Sequence, residues 1–184
     1  MAFLGIDQSL NATGLCLIGE GGDVRTVTTA DPGDRRDGER LAHIRSVVDG
    51  MLLLVTAAAV EGYSYASVGR VFELGEVGGV IKALLAERRV PYVTVPPVLV
   101  KKFATGLAFA TKEAMLRAAA TCGASVSNDN EADAFFLARI ARAWHVGNAT
   151  VRREAEVIRT LRTPPADKKP RRPRRARQLV KAAV

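Results

Sequence analysis

Apolar and polar positions along the chain change period several times, and each change marks an element. Ala2, Phe3, Leu4 and Ile6 read as a strand, Gln8-Ser9-Leu10-Asn11-Ala12-Thr13-Gly14 supplies turn chemistry, and Leu15-Cys16-Leu17-Ile18 opens a second strand. A Gly-rich turn at residues 19–23 precedes Val24 to Thr29, which alternates as a third strand. Leu41, Ile44, Val47, Val48, Met51 and Leu52 then recur at helical spacing. The β-branched end of the run before Glu61 predicts a buried strand, although its alanines leave a helix open. Gly69 to Arg89 predicts a long helix with Val71, Leu74, Val77, Gly78, Ile81, Leu84 and Leu85 on one side, and Gly75, Gly78 and Gly79 permit close approach of another helix or subunit. Val90 to Val95 is a short strand closed by Pro96-Pro97. Helices follow over 98–104, from Thr111 as cap to about Cys122, and from Ser127 or Asn128 as cap to about Trp144. The order predicts a mixed α/β fold: three antiparallel strands, then two parallel strands reached by helical crossovers, in one five-stranded sheet flanked by helices.

A chain of 184 residues with 48% apolar content fits one domain plus an appendage. The uncharged apolar run Met51 to Val60 falls short of the roughly 18 to 20 residues a membrane span needs. The first residues carry no basic leader, so the expectation is a cytoplasmic protein, of a bacterial cell or a phage-infected host, that meets no membrane. Cys16 and Cys122 are unclustered and read as small core residues, without disulfide or zinc chemistry. His43 and His145 sit among charged or unplaced positions, so no histidine base is assigned.

The net charge of +8 changes the picture once it is divided. Residues 151–184 carry twelve Lys and Arg against three acids, a net +9, which leaves residues 1–150 at −1. A near-neutral domain, 1–147, thus carries a basic extension, 148–184, whose helical stripe of Val151, Ala155, Ile158 and Leu161 ends at Pro164-Pro165. Beyond it the run KKPRRPRRAR, with Arg171, Arg172, Arg174 and Arg175, has no apolar period, reads as disordered in isolation and suits a polyanion, nucleic acid before membrane.

Candidate chemistry is acidic. Asp7 ends the first predicted strand and Glu61 the fourth, and these strand ends are adjacent in the expected sheet. The last helix offers Asp129 and Asn130 four and three residues before Asp133, so all three share a face from which Glu131 turns away. Oxygen donors from three separate elements, without His or Cys, suit a hard cation such as Mg²⁺. Two such ions roughly 4 Å apart can clamp one phosphodiester.

Gly5-Ile-Asp7-Gln-Ser-Leu-Asn-Ala-Thr-Gly14, Ala59-Val60-Glu61, Leu74-Gly-Glu-Val-Gly-Gly79, Val100-Lys101 with Lys112 eleven residues on, and Glu131-Ala-Asp133-Ala occur in an order and spacing that resembles the RuvC Holliday-junction resolvases, including phage-borne members, over about residues 1–145. The resemblance implies an RNase H-like fold, a homodimer, and Mg²⁺- or Mn²⁺-dependent nicking of paired strands at a four-way DNA junction. It places Asp7, Glu61 and Asp133 as metal-binding carboxylates and Lys101 and Lys112 near the scissile phosphate. Tyr63 and Tyr65 fall where members carry a junction-facing aromatic, a ring suited to stacking on a splayed base. One position departs: Asn130 stands where the family usually has an acid, with Asp129 beside it as a substitute ligand. Asn ligates through its carbonyl oxygen and adds no charge. Two other readings compete. A non-catalytic branched-DNA binder would have lost its metal site through Asn130. An actin-like phosphotransferase would share Gly5-Ile-Asp7 and Thr13-Gly14 but needs two lobes.

Overall fold

The computed structural model describes residues 1–63 and 71–163. The first three strands, β1 (Ala2–Asp7), β2 (Thr13–Gly19) and β3 (Val24–Ala30), form an antiparallel meander. Helix α1 (Asp37–Met51) and a single 3-10 turn, Leu52–Leu54, lead into β4 (Val55–Glu61), and α2 (Val71–Glu87) leads into β5 (Tyr92–Val95). Helices α3 (Pro97–Thr105), α4 (Lys112–Thr121), α5 (Asp129–Val146) and α6 (Arg152–Arg162) complete the described chain. The sheet order is β3-β2-β1-β4-β5, with β1, β4 and β5 parallel, so β1 and β4 are central neighbours. This is the mixed five-stranded sheet that the sequence predicts.

Strand periodicity divides the core in two. Leu4, Ile6, Ala58 and Val60 pack with Ile44 and Val48 of α1 and Val77, Ile81 and Leu84 of α2. Phe3, Ala57 and Ala59 pack on the other face, against α3, α4 and α5. Asp7 continues the parity of Phe3 and Gly5, and Glu61 that of Ala57 and Ala59. Both acids therefore belong to the face that α5 covers.

Helix α5 lies on the sheet backbone to backbone. A Cβ at Gly5 would stand 1.9 Å from the Ala134 carbonyl oxygen, and one at Gly14 would stand 2.2 Å from that of Asn130. No side chain larger than hydrogen fits at either position. The N-terminus of α5 is capped by Asn128, whose Oδ1 accepts from Glu131 N at 2.9 Å, while Glu131 Oε2 accepts from Ser127 N at 2.7 Å. Glu131 is thereby spent on capping and turned from the acidic face, as its spacing predicts.

One local expectation fails: Cys122 is exposed at the C-cap of α4, where it accepts a hydrogen bond from Arg139 Nη1 at 2.7 Å. Leu53 and Leu54, in the 3-10 turn before β4, are exposed. The basic helix α6 restarts after the left-handed Gly147 and packs on α3 and α5, with Val157 and Ile158 buried.

Candidate active site

The site forms where β1 and β4 end beneath the first turns of α5. Paired residues run from Phe3 and Ala57 to Ile6 and Val60, and one further step brings Asp7 beside Glu61. Gln8 locks that junction: its Nε2 donates to the Glu61 carbonyl at 2.8 Å, tying the end of β1 to the end of β4. Gln8 is itself buried, and its Oε1 finds no partner. Glycine at position 78 of α2 makes room for it, since a Cβ there would stand 2.3 Å from that oxygen.

Asp7, Glu61 and Asp133 act on one another's ionisation. Burial, then the charge of Glu61 and a side-chain hydrogen bond with it, then the charges of Asp133 and Asp129, push the Asp7 carboxyl well above the usual carboxylate range. Glu61 is raised by burial, against the hydrogen bond from Asp7 and the positive charge of Lys101. The Glu61 charge thus favours the protonated form of Asp7. Asp133 is pushed up to about 7, first by burial and then by the Glu61 charge, with Lys101 opposing. Its Oδ1 is buried without a hydrogen-bond partner.

The remaining predicted residues divide. Lys101 on α3 lies near enough to lower both Glu61 and Asp133, whereas its neighbour Lys102 turns away to pair with Glu156 of α6 at 3.5 Å. Lys112 forms an ion pair with Asp129, which lowers the Asp129 carboxyl and raises the lysine. Asn130 donates from Nδ2 to the Ala12 carbonyl at 2.8 Å, fastening α5 to the β1–β2 loop. Tyr63 is held against α2: its hydroxyl donates to the Gly75 carbonyl at 3.3 Å, and Lys82 Nζ sits 4.9 Å from the ring centroid. That half-buried ring thus rests on α2 beside the end of β4. Tyr65, Arg171, Arg172, Arg174 and Arg175 lie outside the described residues. Gln8 escaped the sequence reading because an amide has no charge to flag it; its place directly after Asp7 was the available signal.

This donor set fits a hard divalent cation. It offers only oxygen, it carries more buried negative charge than its surroundings neutralise, and Asp133 Oδ1 waits without a partner. Among the described residues no three acidic, histidine or cysteine side chains already converge as a metal-holding group.

A central β1/β4 pair ending in acids, an antiparallel flank and an overlying acid-bearing helix define an RNase H-like fold. Solved structures agree: the Thermus thermophilus RuvC structure superposes with a TM-score of 0.68 at 22% identity, covering 80% of this chain and 97% of that one. T. thermophilus RuvC in complex with a Holliday junction substrate superposes with a TM-score of 0.64 at 23% identity, covering 75% of this chain and 90% of that one. The family model described as crossover junction endodeoxyribonuclease RuvC matches residues 3–140. A protein of Parasynechococcus marenigrum (strain WH8102) described by the same words is 32% identical over 125 residues, 64% of this chain and 80% of that protein. The chain belongs to the RuvC family of crossover junction endodeoxyribonucleases. Among the described residues, no helix is long and apolar enough to cross a membrane.

Proposed function

We propose that this nuclease resolves four-way DNA junctions through a divalent-metal centre held by Asp7, Glu61 and Asp133. The observation that carries this reading is the meeting of Asp7 and Glu61, whose carboxyls burial pushes up, at the ends of β1 and β4 with the unpartnered Asp133 Oδ1 of α5. Asp7, Glu61 and Asp133 would hold Mg²⁺, with Mn²⁺ able to substitute, and the bound cation would supply an activated water and stabilisation of the leaving oxygen. Gln8 keeps Asp7 and Glu61 at a fixed spacing through its bond to the Glu61 carbonyl. Lys101 places a positive charge beside Glu61 and Asp133, where it neutralises a non-bridging oxygen of the scissile phosphate. Lys112, more peripheral and tethered by Asp129, contacts an adjoining phosphate. A fourth ligand comes from Asn130, whose Nδ2 bond to Ala12 leaves its carbonyl oxygen free, or from Asp129, which is paired with Lys112.

The protein acts as a homodimer, so that two symmetric cuts come from two copies of the site. The exposed face of α2 suits the contact: Phe72 is 90% exposed, and Gly75 and Gly79 leave open space for a neighbouring helix. The nuclease domain comprises residues 1–147, and the basic extension that follows supplies sequence-independent phosphate contacts. A non-catalytic junction binder is the weaker reading, since Asp7, Glu61 and Asp133 are all retained. Asp7→Asn tests the proposal: cleavage of a synthetic four-way junction in Mg²⁺ is lost while junction binding remains. Cleavage at the parental rate would refute the assigned centre.

A further inference from the structure

A second cationic feature lies at the same end of the sheet, outside the acidic centre. The β1–β2 loop, the segment after β3 and the start of α1 enclose an open pocket of about 410 Å³ lined by Leu10, Asn11, Asp31, Arg35, Arg36 and Arg40, among others. Arg40 is only 7% exposed, and its Nε has no hydrogen-bond partner. A buried guanidinium left with an unmet donor is costly unless an anion completes it. Arg36 caps α1 without a side-chain hydrogen bond, so the positive end of that 15-residue helix opens at the same place. Arg35 Nη1 donates to the Pro32 carbonyl at 3.0 Å and Arg36 Nη1 to the Arg35 carbonyl at 3.2 Å, which orients both guanidinium groups while using few of their five donors each.

Acids stand nearby and decide the sign. Asp34, Asp37 and Glu39 belong to the same segment but do not line the pocket, and the one lining acid, Asp31, accepts from Gly33 N at 2.8 Å. The lining therefore presents three guanidinium groups against one carboxylate. Leu10, on the pocket wall, follows Asp7 by three residues, so their Cα atoms are at most ~11 Å apart, about three base steps of a DNA strand.

We propose that Arg35, Arg36 and Arg40 form a phosphate-binding pocket that grips the DNA backbone a few nucleotides from the cleavage centre. The assignment rests on the nuclease reading above. A grip at that distance fixes the register of the strand entering the acidic centre and reads backbone position rather than base sequence.

The test uses the full chain without divalent metal and a fluorescent four-way junction, titrated across salt concentrations. The double variant Arg35→Gln/Arg36→Gln is expected to weaken binding about tenfold and to flatten the dependence of log affinity on log salt by about one to two. Arg40→Gln weakens binding in the same direction. Because Arg40 is buried, the double variant at two exposed residues decides the matter if Arg40→Gln does not fold. Arg88→Gln, which removes a cation paired with Asp49, controls for net charge and retains parental affinity. Parental affinity and salt slope in the double variant overturn the assignment. So does a melting-temperature rise with inorganic phosphate that depends on these arginines while junction affinity does not, which would mark a free-phosphate site. A parent chain that neither binds nor nicks the junction refutes the nuclease reading itself, whereas normal nicking with unaffected variants refutes the pocket alone.

Discussion

Helix α5 meets a buried carboxylate oxygen toward each end, and the two are treated in opposite ways. Toward its C-terminal half, Arg139 pairs with the buried Glu154 of α6 at 3.1 Å, and the other oxygen of Glu154 accepts from Thr150 N at 2.9 Å. Both charges of that pair have partners from the chain itself. Toward its N-terminus, Asp133 faces two more acids and leaves an oxygen unmet. One end completes the fold, and the other is completed only by something added. On the proposed reading, the contrast separates stability from function along a single helix.

Four experiments sharpen it. The largest effect is expected at the unmet end: Asp7→Asn lowers cleavage by about 10³-fold or more, while thermal unfolding shows an equal or higher midpoint because a destabilised acid has been removed. A marked fall in that midpoint would place Asp7 among the stabilising residues. At the satisfied end, Glu154→Ala removes the carboxylate that accepts from both Arg139 and Thr150 N and costs about 1 to 3 kcal/mol in denaturant unfolding, with catalysis per folded molecule preserved. Loss of cleavage without loss of stability would erase the distinction between the two ends.

Acidity offers a third measure. Asp133 has a folded-state pKa near 7 against 3.8 for an ordinary aspartate, so the unfolded chain ionises first as pH rises. The penalty on the fold begins near pH 3.8 and is complete above about 7. The metal-free melting temperature should therefore fall as pH rises through that window, and Mg²⁺ should restore it at neutral pH. A flat profile in EDTA would show that Asp133 ionises freely. The smallest effect separates neighbouring lysines: Lys101→Gln slows cleavage by about tenfold, whereas Lys102→Gln, which loses only an exposed pair with Glu156, leaves it near the parental rate.

Much of this was legible because it is local. Strand-forming residues followed by turn chemistry placed Asp7 at a strand end, the β-branched end of the run before Glu61 did the same there, and helical spacing put Asp129, Asn130 and Asp133 on one face while turning Glu131 away. Parity along β1 and β4 then fixed which face of the sheet the acids occupy. What sequence could not supply was the partner of each polar group. Asn130 reads as an uncharged ligand, and only the fold shows its amide on the Ala12 carbonyl 118 residues earlier in the chain. Tyr63 looked free until Gly75 and Lys82 claimed it. Arg40 sits in a run of alternating charges that reads as solvated helix surface, and only the tertiary fold shows it buried.

Gly5 and Gly14 carry a consequence for how such a centre endures change. Since α5 meets β1 and β2 peptide against peptide, the gap between the strand-borne and helix-borne carboxylates is set by main-chain thickness and not by the bulk of any intervening residue. Enlarging or shrinking Phe135 or Ile140 can loosen the interior without re-aiming Asp133, whereas a single methyl group at position 5 would lift the whole helix and open the catalytic cleft.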